Sequence, residues 1–201
     1  KKMEQRSIKF KSIQETVGKV EKEQSQFFST LDLSEQAWQM KPSNHDQDLT
    51  TFSCPGMGQF QWTHAPLGFL GTEATFHRLL EATVGDLDNT LVHIDRIVVH
   101  TKTREEQVRT VLKVLQRLTN RSLHINLKNS SFMTQQARIL GFVLSKGSIK
   151  IHPAQTEAVE NWKVPQSIPE IKSFLGMTNF FRGHIRNYAE IAEGLNALLK
   201  T

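Results

Sequence analysis

The sequence contains few of the features that mark secreted or membrane-spanning proteins. It has a single cysteine, Cys54, in 201 residues, which excludes an intrachain disulfide framework and fits a reducing compartment. No apolar run approaches the roughly 20 residues that a membrane-spanning helix needs, and no signal peptide follows the basic N-terminus. These absences predict an intracellular protein, cytoplasmic or nuclear, with no membrane partner.

Two motif classes that are common in nucleotide-handling proteins are also absent. The sequence has no Gly-rich phosphate loop of the Walker or dinucleotide type, and no Cys/His spacing typical of zinc sites. It does have a net charge of +5, from 25 Lys and Arg against 20 Asp and Glu. This modest excess is compatible with a polyanionic partner such as nucleic acid. A hydrophobic content of 38% is enough for a packed core, in one large domain or two small ones.

The stretch Thr90–Thr101 places a polar pair between two short apolar runs. Leu91–Ile94 and Ile97–Val99 flank Asp95 and Arg96, which predicts a β-hairpin with the polar pair at its tip. A carboxylate at a hairpin tip is fixed by the sheet and still exposed, which suits a ligand of a hard cation. Asp is also a common turn residue. This stretch by itself therefore leaves open whether Asp95 is a metal ligand or only part of a turn.

A second carboxylate ends a second predicted strand. The aromatic and branched stretch Phe27–Leu33 predicts a strand that ends at Asp32. Catalysis by two divalent metal ions needs carboxylates from different elements to meet at one point. Asp32 and Asp95 are therefore candidate ligands of such a site.

The remaining pattern predicts an α+β fold with a mainly antiparallel sheet. Helices are expected over 12–24 and 71–84, and after the capping box of Thr103 and Glu106. Further strands are expected as a pair within 49–62 and over 123–127, 139–144 and 148–151. From Pro153 onward three helices are expected, over 154–162, after a second capping box of Ser167 and Glu170, and over 187–199.

Six segments together resemble the motifs of reverse transcriptases from long-terminal-repeat retroelements, in particular those of the Ty3/gypsy type. In chain order they are Phe28-Ser-Thr-Leu-Asp-Leu33, Thr50-Thr-Phe52, Ala65-Pro-Leu-Gly68 with Ala74-Thr-Phe76, His93-Ile-Asp-Arg96, Ile139-Leu-Gly-Phe-Val-Leu-Ser145 and Ser173-Phe-Leu-Gly-Met-Thr-Asn-Phe-Phe-Arg182. The fourth stands where the family has Tyr-x-Asp-Asp, and the fifth resembles its primer-grip region. Each segment alone is a weak signal, but all six in register over nearly the whole chain make a specific one.

The resemblance implies a polymerase palm, in which helices cover one face of an antiparallel sheet, followed by a small helical thumb or connection unit. It also implies that the upstream fingers strands are largely missing. In these terms, residues 1–26 are an N-terminal remnant of the fingers and the start of the palm. Residues 27–151 are the palm with the active-site hairpin and the primer-grip region, and residues 152–201 are the thumb or connection.

The function that the resemblance implies is template-directed DNA synthesis by two-metal nucleotidyl transfer, within a retroelement Pol polyprotein. The implied cofactor is a pair of Mg²⁺ ions. The implied partners are an RNA or DNA template–primer, a deoxynucleoside triphosphate if the enzyme is active, and a protein partner or the remainder of the polyprotein. The catalytic and metal-binding carboxylates become Asp32, Asp95 and the residue at position 96, which here is Arg.

Several of the implied site positions depart from the family pattern. Compared with the family's Asp at this position, Arg96 changes the local charge by two units. The interaction of each unit with another charge is worth roughly 4 kcal/mol at about 4 Å and an effective dielectric near 20. Arg96 is also placed to pair with Asp32 or Asp95 and to fill the place of the metal ions. His93 replaces the family's Tyr, and the implied substrate-binding positions read Ala37, Leu67, Gly68, His77 and Lys128. These departures predict a catalytically impaired copy and argue against Mg²⁺ binding.

The alternative is a non-catalytic module that binds nucleic acid or a protein partner. The implied nucleic-acid-binding residues are Gly141, Lys146, Lys150, Arg182 and Arg186, of which the basic ones would contact phosphate groups. Two interpretations of Lys128 remain open: its side chain contacts a phosphate group, or it is an ordinary solvated lysine on the surface.

Overall fold

The computed structural model describes residues 18, 20, 22–33, 35–66, 68, 71–139, 141–146 and 148–199. They form two compact units: the first reaches Ala137 and includes Leu144–Ser148, and the second consists of Arg138–Val143 and the residues from Ile149 onward. The helix predicted over 12–24 lies largely outside the described residues, although residues 18, 20, 22 and 23 are helical. In the described part of the chain, no helix is both long enough and apolar enough to cross a membrane.

The first unit is built on a four-stranded antiparallel sheet. Its strands are β1 (Phe27–Asp32), β4 (Thr90–His93), β5 (Arg96–Thr101) and β6 (Ser131–Thr134), in the order β4-β5-β1-β6. The hairpin predicted within Thr90–Thr101 is confirmed, but its turn lies one residue earlier than predicted. The turn residues are Ile94 and Asp95, and Arg96 begins β5 because it pairs with both His93 and Asp32.

The other elements of this unit connect β1 to β4 and β5 to β6. They are α1 (Gln36–Gln39), α2 (Asn44–Asp48), the hairpin of β2 (Phe52–Cys54) and β3 (Gly58–Phe60), α3 (Thr72–Val84) and α4 (Arg104–Asn120). The predicted hairpin and both predicted helices are confirmed. The N-cap half of the predicted capping box is confirmed, since Glu106 N donates to Thr103 Oγ1 at 3.3 Å, whereas the Glu106 carboxylate accepts from Asn89 Nδ2 at 3.0 Å.

The strand predicted over 123–127 is wrong. This segment is irregular and leads into a turn at residues 127–129. Its backbone bonds to the end of β1, because Asn126 N donates to Asp32 O at 2.7 Å. Leu123 is buried and Ile125 packs against the core, so the alternating apolar pattern reflects burial and not strand pairing.

The core of the first unit lies between the sheet and the two long helices. Alternate side chains of a strand point to opposite faces, so Leu31, Ile97 and Val99 share one face. They pack against two groups of buried side chains, Phe76, Leu80 and Val84 from α3 and Val111, Val114 and Leu118 from α4. Both helices therefore cover one face of the sheet, and Asp32 and Arg96 belong to the opposite face.

The next three strands of the chain form a second sheet. Its strands β7 (Gln136–Ile139), β8 (Phe142–Ser145) and β9 (Ser148–Ile151) follow one another in order. The rest of the second unit is helical, as predicted from Pro153 onward. It contains α5 (Pro153–Glu160), α6 (Ile168–Phe180), a 3₁₀ turn (Arg182–His184) and α7 (Tyr188–Ala197).

The second unit has a small core of its own. Ile171 and Leu175 on α6 pack against Ala192 on α7. The N-cap half of the predicted capping box at the start of α6 is confirmed, since Glu170 N donates to Ser167 Oγ at 3.4 Å, whereas the Glu170 carboxylate accepts from Gln166 N at 2.9 Å. The backbone bond from Gln166 N and the contact with Ser167 hold the pKa of the Glu170 carboxyl below its usual value.

Gly141 lies between β7 and β8 at a φ of +80°, where a Cβ would come within 3.3 Å of Gln155 Cγ and 3.4 Å of Phe181 Cζ. We expect Gly141→Ala to lower the free energy of unfolding of the second unit by about 1–2 kcal/mol, because a residue with a side chain is strained at this positive φ. Thermal unfolding would measure the loss. Gly176→Ala is the matched control, since Gly176 lies in α6 with open space around it. An equal loss in the two variants would contradict the explanation.

Candidate active site

The candidate site lies where β1 ends and β5 begins. Asp32 and Arg96 stand directly opposite each other in the antiparallel pair, so their Cβ atoms share one face at a separation of about 4.5–5.5 Å. Arg96 Nε donates to Asp32 Oδ2 at 3.3 Å, and the side chain of Asp32 is 4% exposed whereas that of Arg96 is 48% exposed. The carboxylate predicted to bind a metal ion is therefore paired with a cation of the protein itself.

The backbone of Asp32 is held by the segment that precedes β6. Asn126 N donates to Asp32 O at 2.7 Å, and Asp32 N donates to Ser130 Oγ at 3.0 Å. Ser130 Oγ in turn donates to Asn126 O at 2.7 Å. Because both backbone groups of Asp32 are bonded, its position is set independently of the ion pair. Asn126 and Ser130 were not among the predicted site residues, although the mainly polar stretch at residues 126–131 is typical of a turn.

Asp95 lies in a turn that is tied to two other elements. Its carbonyl oxygen accepts from Leu33 N at 2.8 Å, directly after β1. The neighbouring Ile94 has a φ of 51°, a left-handed conformation that costs an L residue roughly 1–2 kcal/mol. Ile94 N donates to His77 Nδ1 on α3 at 3.2 Å. The turn is thus bound to both β1 and α3.

His93 adds little positive charge to this site. Burial is the main cause that lowers the pKa of the His93 imidazole below its usual value. Asp95 raises this pKa and Arg96 lowers it. A neutral imidazole is therefore favoured, and Arg96 supplies the positive charge opposite Asp32.

These donors do not fit a pair of divalent metal ions. Mg²⁺ prefers a near-octahedral set of oxygen ligands, but position 96 offers a guanidinium and Asp32 is paired with it. Within the described ranges, no group of three or more His, Cys, Asp or Glu side chains is arranged to hold a metal ion. A fixed cation at this distance also repels a second cation.

The positions predicted to bind the incoming nucleotide lie in different environments. Ala37 on α1 and His77 on α3 are buried, at 2% and 5% exposure. Gly68 is exposed and has a φ of +78°, and Leu67 lies outside the described residues. A substrate contact at these positions stays a prediction.

The residues predicted to bind nucleic acid are divided between the units. Lys128 and Lys146 belong to the first unit, and Lys150, Arg182 and Arg186 belong to the second. All five side chains are exposed, as contact with phosphate groups requires. Gly141 serves the β7–β8 connection described above, and its contact with nucleic acid stays a prediction.

A model of the reverse transcriptase (RNA-dependent DNA polymerase) family matches residues 1–144. The chain belongs to the reverse transcriptase family. The resemblance inferred from the six sequence motifs is thereby confirmed, and the matched residues include Asp32, Asp95 and Arg96.

Pol polyproteins of transposons are similar to this reverse transcriptase chain over most of its length. The retrovirus-related Pol polyprotein from transposon 297 of Drosophila melanogaster is 29% identical over 191 residues, covering 94% of this chain and 18% of that polyprotein. The corresponding polyprotein from transposon gypsy of the same organism is 26% identical over 178 residues, with coverages of 88% and 17%. The transposon Tf2-7 polyprotein of Schizosaccharomyces pombe is 29% identical over 178 residues, with coverages of 88% and 13%. The chain thus spans less than a fifth of these relatives, and the predicted Ty3/gypsy type is confirmed.

Solved reverse transcriptases have the same fold. The foamy viral protease-reverse transcriptase dRH in complex with double-stranded DNA gives a TM-score of 0.80 at 27% identity, covering 88% of this chain and 31% of that chain. The foamy viral protease-reverse transcriptase in complex with an RNA/DNA hybrid gives a TM-score of 0.75 at 27% identity, with coverages of 88% and 24%. The α+β fold with antiparallel sheets predicted from the sequence is confirmed.

Proposed function

We propose that this reverse transcriptase-like domain of a retroelement Pol polyprotein is impaired in nucleotidyl transfer but still binds a nucleic-acid template–primer. The observation that supports impairment is the 3.3 Å contact between Arg96 Nε and Asp32 Oδ2. Family members that transfer nucleotides use Mg²⁺ ions held by carboxylates, and the resemblance assigns one of these carboxylates to position 96. In this chain, the side chain at that position instead neutralises Asp32.

The size of the electrostatic effect supports strong impairment. A divalent ion would have to displace the guanidinium from Asp32 and remain close to it. Each unit charge at about 4 Å is worth roughly 4 kcal/mol at an effective dielectric of 20, and solvent reduces this value because Arg96 is half exposed. Even a net cost of about 3 kcal/mol lowers a rate on the order of a hundred-fold.

Charge and exposure support retained binding to nucleic acid. The chain carries a net charge of +5, and the five basic side chains predicted to contact phosphate are exposed. None of them takes part in the ion pair at Asp32. The foamy viral relatives, at 27% identity, are in complex with double-stranded DNA or an RNA/DNA hybrid. Phosphate contacts release counterions, so we expect affinity for a template–primer to fall steeply with salt.

Primer extension and equilibrium binding test the two parts of this proposal separately. With Mg²⁺ or Mn²⁺ on an RNA template, we expect no extension by the unmodified chain, and salt-sensitive binding of the same template–primer. Lys128→Glu should weaken binding about ten-fold and reduce the salt slope, because Lys128 lies in the segment that bonds to Asp32. Lys113→Glu is the charge-matched control, since Lys113 is an exposed residue of α4.

Each part has an outcome that would overturn it. Extension by the unmodified chain that is lost in Asp95→Asn would show an intact catalytic site. Absence of salt-sensitive binding of the template–primer would overturn retained binding. Equal affinities of the Lys128→Glu and Lys113→Glu variants would overturn the contact near Asp32, because net charge alone would then govern binding.

A further inference from the structure

The turn between β4 and β5 has a backbone conformation that its own residues do not favour. Two-residue hairpin turns commonly place Gly, Asn or Asp where φ is positive. Here that position is Ile94, with a φ of 51°, and β-branched residues rarely adopt this conformation. A contact from outside the hairpin is therefore needed to hold the turn in one shape.

That contact comes from α3. His77 Nδ1 accepts a hydrogen bond from Ile94 N at 3.2 Å, and His77 is 5% exposed. A ring nitrogen accepts only when it carries no proton, so the bond requires a neutral imidazole with its proton on Nε2. The flanking residue Phe76 and the nearby Leu80 are fully buried in the core. The acceptor is thus fixed on a helix that is itself firmly packed.

We propose that His77 is a positioning residue, which holds the turn that carries Asp95 from the helix side. The second tether of the turn is the 2.8 Å bond from Leu33 N to Asp95 O. Together the two bonds fix the turn between α3 and the end of β1, next to Asp32. The inference rests on the proposed function, because it gives the helix a part in building the site. It also differs from the substrate-binding role predicted for His77 from the sequence.

Hydrogen exchange at the Ile94 amide, followed by NMR, tests the tether directly. His77→Leu fills much of the space of the ring without an acceptor, and we expect exchange at Ile94 to become about ten-fold faster, the factor for one lost hydrogen bond. His77→Asn places an amide oxygen at the position of Nδ1, and we expect it to restore exchange to within about three-fold of the unmodified chain. The Leu80 amide on α3 is the internal reference and should change little in either variant.

A second substitution tests whether the tether offsets the strain at Ile94. Asn adopts positive φ more readily than Ile, so in an Ile94→Asn background the effect of His77→Leu should shrink to about three-fold or less. If His77→Leu still makes exchange at residue 94 ten-fold faster when Ile94 is replaced by Asn, the tether does not offset backbone strain. If exchange at Ile94 and Leu80 accelerates equally in both His77 variants, His77 is only a packing residue and the proposal is wrong.

None of these measurements uses metal ions or catalysis, so primer extension by the unmodified chain would overturn the proposed function and leave this result unchanged.

Discussion

Replacing Arg96 by aspartate should give a chain that binds Mn²⁺ and is stabilised by it, whereas the unmodified chain should not respond to the ion. The substitution places a carboxylate directly opposite Asp32 in the β1–β5 pair and removes the guanidinium that lies 3.3 Å from Asp32. Asp95 is the adjacent residue. A ligand present at a hundred times its Kd stabilises the folded state by about 2.7 kcal/mol. That corresponds to an increase of several degrees in Tm, which differential scanning fluorimetry would detect.

Without metal, the same variant should be less stable than the unmodified chain. Like charges directly opposite each other in a sheet are destabilising, and Asp32, whose side chain is 4% exposed, loses its cation. Removing one partner of a fully buried ion pair costs about 3–5 kcal/mol. Because the side chain of Arg96 is 48% exposed, we expect a smaller loss, about 1–3 kcal/mol. Loss of stability in EDTA and recovery in Mn²⁺ together indicate a carboxylate site.

Two control variants separate the causes. Arg96→Asn removes the cation without adding a carboxylate, so Mn²⁺ should raise its Tm less than that of Arg96→Asp. Arg109→Asp makes the same change in net charge at an exposed position of α4 and should show no response. If the unmodified chain shows the same Mn²⁺ shift as Arg96→Asp, the ion pair does not close the site and the proposed impairment is wrong.

The sequence predicted most of the fold because the signals for it are local. The capping boxes at Thr103 and Ser167 and the apolar stripes of the helices fix the helix starts without reference to the rest of the chain. The position of the hairpin turn is different. Polarity alone assigns Asp95 and Arg96 to the tip, but the pairing of Arg96 with His93 and Asp32 extends β5 by one residue. That register depends on a strand 64 positions away, which a local pattern cannot show.

The candidate site was predictable in its residues but not in its contacts. The sequence motifs identify Asp32, Asp95 and Arg96, and they leave open which carboxylate pairs with the arginine. The register of β1 and β5 selects Asp32. The hydrogen bond between His77 and Ile94 joins a side chain to a backbone group 17 positions away. Such contacts carry no periodic signal in the sequence, so only the fold reveals them.

The second large effect is expected at Gln107, in the interior of the first unit. Gln107 lies on α4 and is fully buried, at 0% exposure. Its Nε2 donates to Ser29 Oγ at 2.9 Å and to Val99 O at 3.1 Å, and its Oε1 accepts from Thr101 Oγ1 at 2.8 Å. One side-chain amide therefore satisfies polar groups of β1 and β5 on the face that the helices cover. A buried polar group that loses its partner costs about 1–3 kcal/mol.

We therefore expect Gln107→Leu to lower the free energy of unfolding by roughly 2–4 kcal/mol, a large part of the 5–15 kcal/mol typical of a domain. Leu is of similar size, so the loss would reflect unsatisfied hydrogen bonds more than a cavity. Urea unfolding would measure it as a lower midpoint at an unchanged slope. Gln116→Leu is the matched control, because Gln116 is exposed on the same helix, and it should change stability by no more than about 0.5 kcal/mol. Equal stabilities of the two variants would mean that apolar packing alone, through residues such as Val111 and Val114, holds α4 on the sheet.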